Sequence, residues 1–278
     1  MPLVPTAQLI ADVERRGGAV GAFNAICLEH AEAIVAGAEQ VDRPVIVQIS
    51  ENAVKFHGGH LAPLASACAA VASSAAVPVS LHLDHVEDDA LLRLAADHGF
   101  GSVMYDASKR SYADNVEATR AAAEWGHGCG LWVEAELGEV GGKDGAHAPG
   151  VRTDPDEAAA YVAATGVDAL AVAVGSSHAM TDRTAALDHG LIARLALAIP
   201  VPLVLHGSSG VPDAELRAAV RAGMLKVNIG TALNIAFTAA IREHLAANPS
   251  VVDPRKYLVP ARAAMAAVVA DQLAVLAG

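Results

Sequence analysis

The chain has 278 residues, 53% of them hydrophobic but only 4% aromatic, and a formal charge of -12 at pH 7. That length suits one large domain with a core of Ala, Val and Leu, and the charge, with no basic run, excludes a nucleic-acid binder. Cys27, Cys68 and Cys129 are widely spaced with no C-x-x-C pair, which fits a reducing compartment better than a disulfide framework. The first residues lack a basic segment ahead of an apolar one, and no run of about eighteen apolar residues follows. A cytoplasmic protein with neither secretory signal nor membrane span is therefore expected.

In chain order, a helix over about 6–16 comes first. Short β-rich runs then follow at 19–23, 45–49, 79–83, 102–105, 130–135, 169–174, 201–205 and 225–228. Most are almost continuously apolar, as parallel strands covered on both faces should be. Between them lie Ala-rich segments with helical spacing at 27–42, 61–75, 87–98, 111–127, 155–165, 186–198 and 212–222, and a last helix is predicted over 254–276. Asp154-Pro155 and Val211-Pro212, each followed by acidic residues, mark helix starts, and Gly99, Gly126, Gly166 and Gly223 mark helix ends. Eight alternating units predict an α/β fold, a (β/α)8 TIM barrel in one domain over 1–278 with extra terminal helices; an open doubly wound sheet is the rival.

In such barrels the chemistry lies at the C-terminal strand ends. Those positions carry Asn24, Ser50, Asp84-His85, Asp106, Glu134 and Glu136, then Gly175-Ser176-Ser177-His178, His206-Gly207-Ser208-Ser209-Gly210 and Asn228-Ile229-Gly230-Thr231. A single strand-end histidine means little. His85, His178 and His206 converging on one mouth beside carboxylates match a catalytic zinc set of three histidines with an open position. Asp84 is then the acid/base neighbour, facing inward with Ser80 and His82 because alternate strand residues share a face. The last two loops are small-residue turns leading into helices, the usual phosphate position in barrels, and Arg183 could add a cation.

The segments AFN (22–24), LHLDH (81–85), SVMYDAS (102–108), VEAELGEVGG (133–142), GSSH (175–178), LVLHGSSG (203–210), KVNIGT (226–231) and DPRKYLVPARAAM (253–265) resemble, in order, the class II zinc-dependent fructose-bisphosphate and tagatose-bisphosphate aldolase family. The resemblance implies one zinc ion per chain on His85, His178 and His206, with Asp84 as acid/base. Glu134, Glu136 and Asp106 would lie around the metal or offer an alternate site. Asn24, Ser50 and Asn228 would contact the carbon chain of a phosphorylated sugar, and Gly207, Ser209, Gly230 and Thr231 its phosphate. It also implies a homodimer or homotetramer, and a Na+ or K+ ion near the phosphate. The chain departs from the family pattern at Ala179, usually Gly, at Thr181, commonly aromatic, and at Arg183, usually Lys. Without a gap, Asp144 occupies the place of a loop glutamate that moves the carbon-bound proton; with a one-residue deletion that glutamate has no counterpart here. Three rivals remain: a Schiff-base aldolase using Lys226, the only lysine on a strand; a metal hydrolase; and a non-catalytic sugar-phosphate sensor.

Overall fold

A computed structural model describes residues 3–137, 151–177 and 181–278. Eight parallel strands close in sequence order into a barrel. They are β1 (Val20–Asn24), β2 (Val45–Ser50), β3 (Val79–Val86), β4 (Ser102–Tyr105), β5 (Trp132–Glu136), β6 (Ala169–Ala171), β7 (Leu203–Leu205) and β8 (Met224–Ile229). The surrounding helices are α1 (Thr6–Arg16), α2 (Leu28–Gln40), α3 (Glu51–Phe56), α4 (Leu61–Ser74), α5 (Asp89–Leu94), α6 (Tyr112–Gly128), α7 (Pro155–Thr165), α8 (His189–Ala198), α9 (Asp213–Arg221), α10 (Thr231–Ala247) and α11 (Pro254–Val275).

Closure of the sheet separates two apolar clusters. The larger lies between strands and outer helices, where side chains such as Phe23, Ile34, Leu81, Val103, Tyr161, Leu205 and Val269 remove apolar surface from water. The smaller sits inside the barrel at its base. There Leu9, Ile10 and Val13 of α1 pack against Val20, Ile46, Met104, Trp132, Ala169 and Val204. The amphipathic α1 thus plugs the bottom of the barrel. Its first residue, Thr6, shares short hydrogen bonds with Ser80 (2.6 Å) and Ser102 (2.7 Å), so the plug is fixed to β3 and β4 by polar as well as apolar contacts.

Above this base the inward positions turn polar: Gln48, His82, Asp84, Ser102, Glu134, His206, Lys226 and Asn228 are all buried. Register brings them together, since Asn24 pairs with Gln48, Gln48 with His82 and Ser50 with Asp84. Outside the barrel, α11 crosses α2 at Gly37, where an added Cβ would meet the Ala266 carbonyl at 2.5 Å. No larger residue permits that approach. By length and composition alone α11 could cross a bilayer, an exception to the expectation from the sequence. Its Ala261, Met265, Val269 and Leu273 are instead buried against the rest of the fold.

The elements follow the sequence reading with physical exceptions. The segment expected as one helix over 87–98 is α5 followed by a 3-10 turn, Ala95–His98, that ends on left-handed Gly99. The run 201–205 pairs regularly only from Leu203, because Pro202 has no N–H to donate. The six residues of α3, capped by Ser50 Oγ accepting from Ala53 N at 3.2 Å, are too few to show a helical period.

The burial pattern sets thiol reactivity. Cys129 is exposed, whereas Cys68 is buried and its thiol is pushed up to about 12 by that burial. Iodoacetamide at pH 8 on the native protein should label Cys129 first and leave Cys68 unmodified until denaturation, read by peptide mass spectrometry. Early labelling of Cys68 would contradict this packing.

Candidate active site

Backbone geometry at the end of β3 creates the site. Alternation aims Ser80, His82 and Asp84 inward and would send His85 outward into the helical layer. His85 instead has φ 51°, in the left-handed region, and the β3–β4 register shifts between Leu83 and Val86. This bulge turns two consecutive side chains, Asp84 and His85, toward the same mouth. A side chain with a Cβ in that conformation costs about 1–2 kcal/mol, so the surrounding structure must hold it. Glu51 provides part of that hold, because its carboxylate accepts from Glu87 N (2.7 Å) and Asp88 N (3.1 Å) just beyond the bulge.

His85 Nδ1 lies 3.0 Å from Asp106 Oδ2, and His206 Nε2 lies 2.9 Å from Glu134 Oε1. Each carboxylate accepts the ring N–H it faces, which leaves a lone pair on His85 Nε2 and on His206 Nδ1. Those two nitrogens meet at 3.0 Å. Such an approach needs a positive charge between them, either a proton or a metal cation. Donor atoms of Asp84, His85 and His206 lie within 4.8 Å of one another, as do those of His85, Asp106 and Glu136. This arrangement fits a divalent cation with oxygen and imidazole ligands.

Electrostatics supports the same division of roles. Burial pushes the Asp84 carboxyl above its usual range, against the pull of His85 and Lys226. Burial acts against the His85 charge too, but Asp84 and Asp106 outweigh it and raise the imidazole to about 10. Burial also opposes the Asp106 charge, yet hydrogen bonds from His85 and Ser108 hold that carboxyl well below its usual range. His82 is kept well below its usual value by burial and by Lys226, so it is neutral.

A cavity of about 250 Å³ opens above these groups, lined among others by Asn24, Gln48, Ser50, Asp84, His85 and His206. Its other side is formed by Gly207, Ser208, Ser209, Asn228, Gly230 and Thr231, where α10 begins. A Cβ at Gly230 would sit 2.9 Å from Asn24 Oδ1, so a larger residue there would push the Asn24 side chain aside. Helix-start amides beside small hydroxyl residues make an anion site.

A model of the family described as fructose-bisphosphate aldolase class-II matches residues 4–278. The chain belongs to this family. It is 37% identical to the fructose-bisphosphate aldolase of Thermus caldophilus, covering 98% of this chain and 97% of that one. The Geobacillus stearothermophilus fructose-bisphosphate aldolase is 38% identical over 98% of this chain and 96% of its own. Among solved structures, the YdjI aldolase of Escherichia coli K12 matches with a TM-score of 0.86 at 30% identity, covering 99% of this chain and 97% of that one. The protein is therefore a class II aldolase, a lyase of a generally metal-dependent family.

Within this aldolase the structure gathers Asn24, Ser50, Asp84, His85, His206, Gly207, Ser209, Asn228, Gly230 and Thr231 around one cavity, and sets Glu134, Asp106 and Glu136 against its histidines. His178, Ala179 and Asp144 lie outside the described residues. Arg183 does not line this cavity: its guanidinium binds the Val211 carbonyl (3.0 and 2.7 Å) and the Asp213 carboxylate. Lys226 is fully buried and donates to Glu134 (2.7 Å) and Asn228 (2.8 Å), an environment unlike that of a nucleophilic Schiff-base lysine. The sequence reading missed Gln48, which donates to Asn24 (2.8 Å) and lies 3.3 Å from Asp84. Its signal was available as a lone polar residue two places before Ser50 on the inward face of an apolar strand.

The strained backbone at His85 predicts an inverted preference. In most strands Ala is better than Gly, but here His85→Gly should be about 1 kcal/mol more stable than His85→Ala. Urea denaturation of the two variants measures the difference, and an Ala variant of equal or greater stability would contradict the left-handed assignment.

Proposed function

We propose that this aldolase reversibly cleaves a ketose 1,6-bisphosphate, fructose or its tagatose epimer, to dihydroxyacetone phosphate and glyceraldehyde 3-phosphate. The observation that carries this reading is the meeting of Asp84, His85 and His206 at one mouth, beside the loops after β7 and β8. The fructose-bisphosphate aldolases of Thermus and Geobacillus add support by similarity.

Zinc is the proposed ion; His85, His206 and, by family resemblance, His178 would hold it, and it would supply Lewis-acid polarisation of the ketone oxygen. Asp106 orients His85 and Glu134 orients His206, each by accepting a ring N–H. Asp84, buried with a raised affinity for protons, takes the C4 hydroxyl proton in cleavage and returns it in condensation. Gln48 and Asn228 hold the Asp84 oxygens at 3.3 and 3.4 Å, so the base is aimed before substrate arrives. The loops with Gly207, Ser209, Gly230 and Thr231 take the phosphate of the dihydroxyacetone half, and Asn24 and Ser50 contact the carbon chain. Asp144 is proposed from the family resemblance to move the proton on carbon. The same resemblance suggests a homodimer or homotetramer, a Na+ or K+ ion near the phosphate, and a cytoplasmic setting.

A second reading, an aldolase for another phosphorylated ketose or keto acid, is favoured by the engagement of Arg183 with Asp213 outside the mouth cavity. Condensing dihydroxyacetone phosphate with a panel of aldehydes and scoring product stereochemistry separates the two readings.

His206→Ala should remove both bound metal, measured by elemental analysis, and activity; a metal-free preparation with full activity would refute the metal reading. Asp84→Ala should keep the metal and still exchange solvent deuterium into dihydroxyacetone phosphate, while bisphosphate cleavage falls about 10²–10⁴-fold. An equal fall in exchange and cleavage would give Asp84 a ligand or structural role instead.

A further inference from the structure

We propose that Lys226 is a positioning residue that fixes, from beneath the site, the ring tautomer of His206 and the amide orientation of Asn228. This rests on the reading of His206 as a metal ligand. Lys226 lies on β8 with no solvent exposure, and Glu134 and His206 are equally buried. An ammonium can only donate, so every atom it touches must accept. Its Nζ meets Asn228 Oδ1 at 2.8 Å and Glu134 Oε2 at 2.7 Å.

Two consequences follow upward. The amide oxygen of Asn228 is turned down to Lys226, which sends Nδ2 toward Asp84 Oδ1, 3.4 Å away. A flipped amide would press two donors together. The second oxygen of Glu134, Oε1, faces His206 Nε2 at 2.9 Å. That oxygen belongs to a carboxylate in a 2.7 Å ion pair with Lys226 and accepts from the ring, so the ring proton sits on Nε2 and the Nδ1 lone pair points to His85. Asn228 Nδ2 also lies 3.2 Å from His206 Nε2 and taken alone would favour the opposite tautomer. The nearer, charged carboxylate decides between them.

The decisive variant is Glu134→Gln, which keeps the side chain's shape. Lys226 would take the single amide oxygen, leaving the NH2 toward His206 Nε2. The ring proton would then move to Nδ1, where it blocks the cation. Two-bond ¹H–¹⁵N histidine spectra of the metal-free protein should show His206 as the Nε2–H tautomer in the wild type and Nδ1–H in Glu134→Gln. Co2+ affinity should fall about 10–100-fold, the scale of second-layer substitutions at metal sites. Adding Lys226→Met to Glu134→Gln frees the amide to rotate, so the double variant should restore the Nε2–H tautomer and recover about tenfold in Co2+ affinity. A residue that only stabilised the fold would give no such rescue.

Wild-type tautomer and affinity in Glu134→Gln, or a double variant no better than the single, would overturn the proposal. A wild-type protein that binds no Co2+ would instead overturn the metal reading, and the tautomers alone would then decide the role of Lys226. If Lys226→Met variants do not fold, the tautomer in Glu134→Gln decides it.

Discussion

The interior of an eight-stranded barrel leaves no room for bulk water, so each polar side chain placed there must find its partner within the chain. Most polar groups in this barrel meet that constraint, although Gln48 Oε1 and His82 Nε2 are buried without a hydrogen-bond partner among the described residues. Glu134 carries the central burden. One of its oxygens meets Lys226 and the other His206, so a single carboxylate satisfies a cation below and orients an imidazole above. Asn228 bridges the same lysine to Asp84, and Gln48 ties Asp84 to Asn24. The result is a continuous polar layer from β1 to β8, in which moving one group leaves others unsatisfied.

Much of this was legible in the sequence because β-strands impose a period of two. Once eight strands were recognised, their ends had to share one mouth, and the histidines and carboxylates there stood out against apolar runs. Gln48 and Lys226 were harder to read for the same reason. Both lie inside their strands, at positions where an apolar residue is the ordinary choice, and their partners come from strands distant in sequence. Arg183 is a different case. Its position five residues after His178 suggested a phosphate contact; in the structure its guanidinium meets Val211 and Asp213 at the start of α9. Sequence distance does not reveal which of two acceptors an arginine meets.

His85 lies between these cases. Its role follows from composition, but not its direction, since strict alternation turns it away from Asp84. Only a backbone excursion at φ 51° reconciles the two, and nothing in Leu-Asp-His-Val announces it. The local strain and the buried carboxylate of Glu51 that holds the following turn belong together, one making the geometry and the other retaining it.

The plug formed by α1 has a kinetic consequence. With Leu9, Ile10 and Val13 filling the base and Thr6 bonded across to β3 and β4, the described residues form a well closed at its base. Whatever binds deepest must arrive first and depart last. A cation seated between His85 and His206 would lie at the foot of that well, and a sugar phosphate anchored at the rim would stand between it and the opening. Among the described residues, shape alone sets that order of traffic.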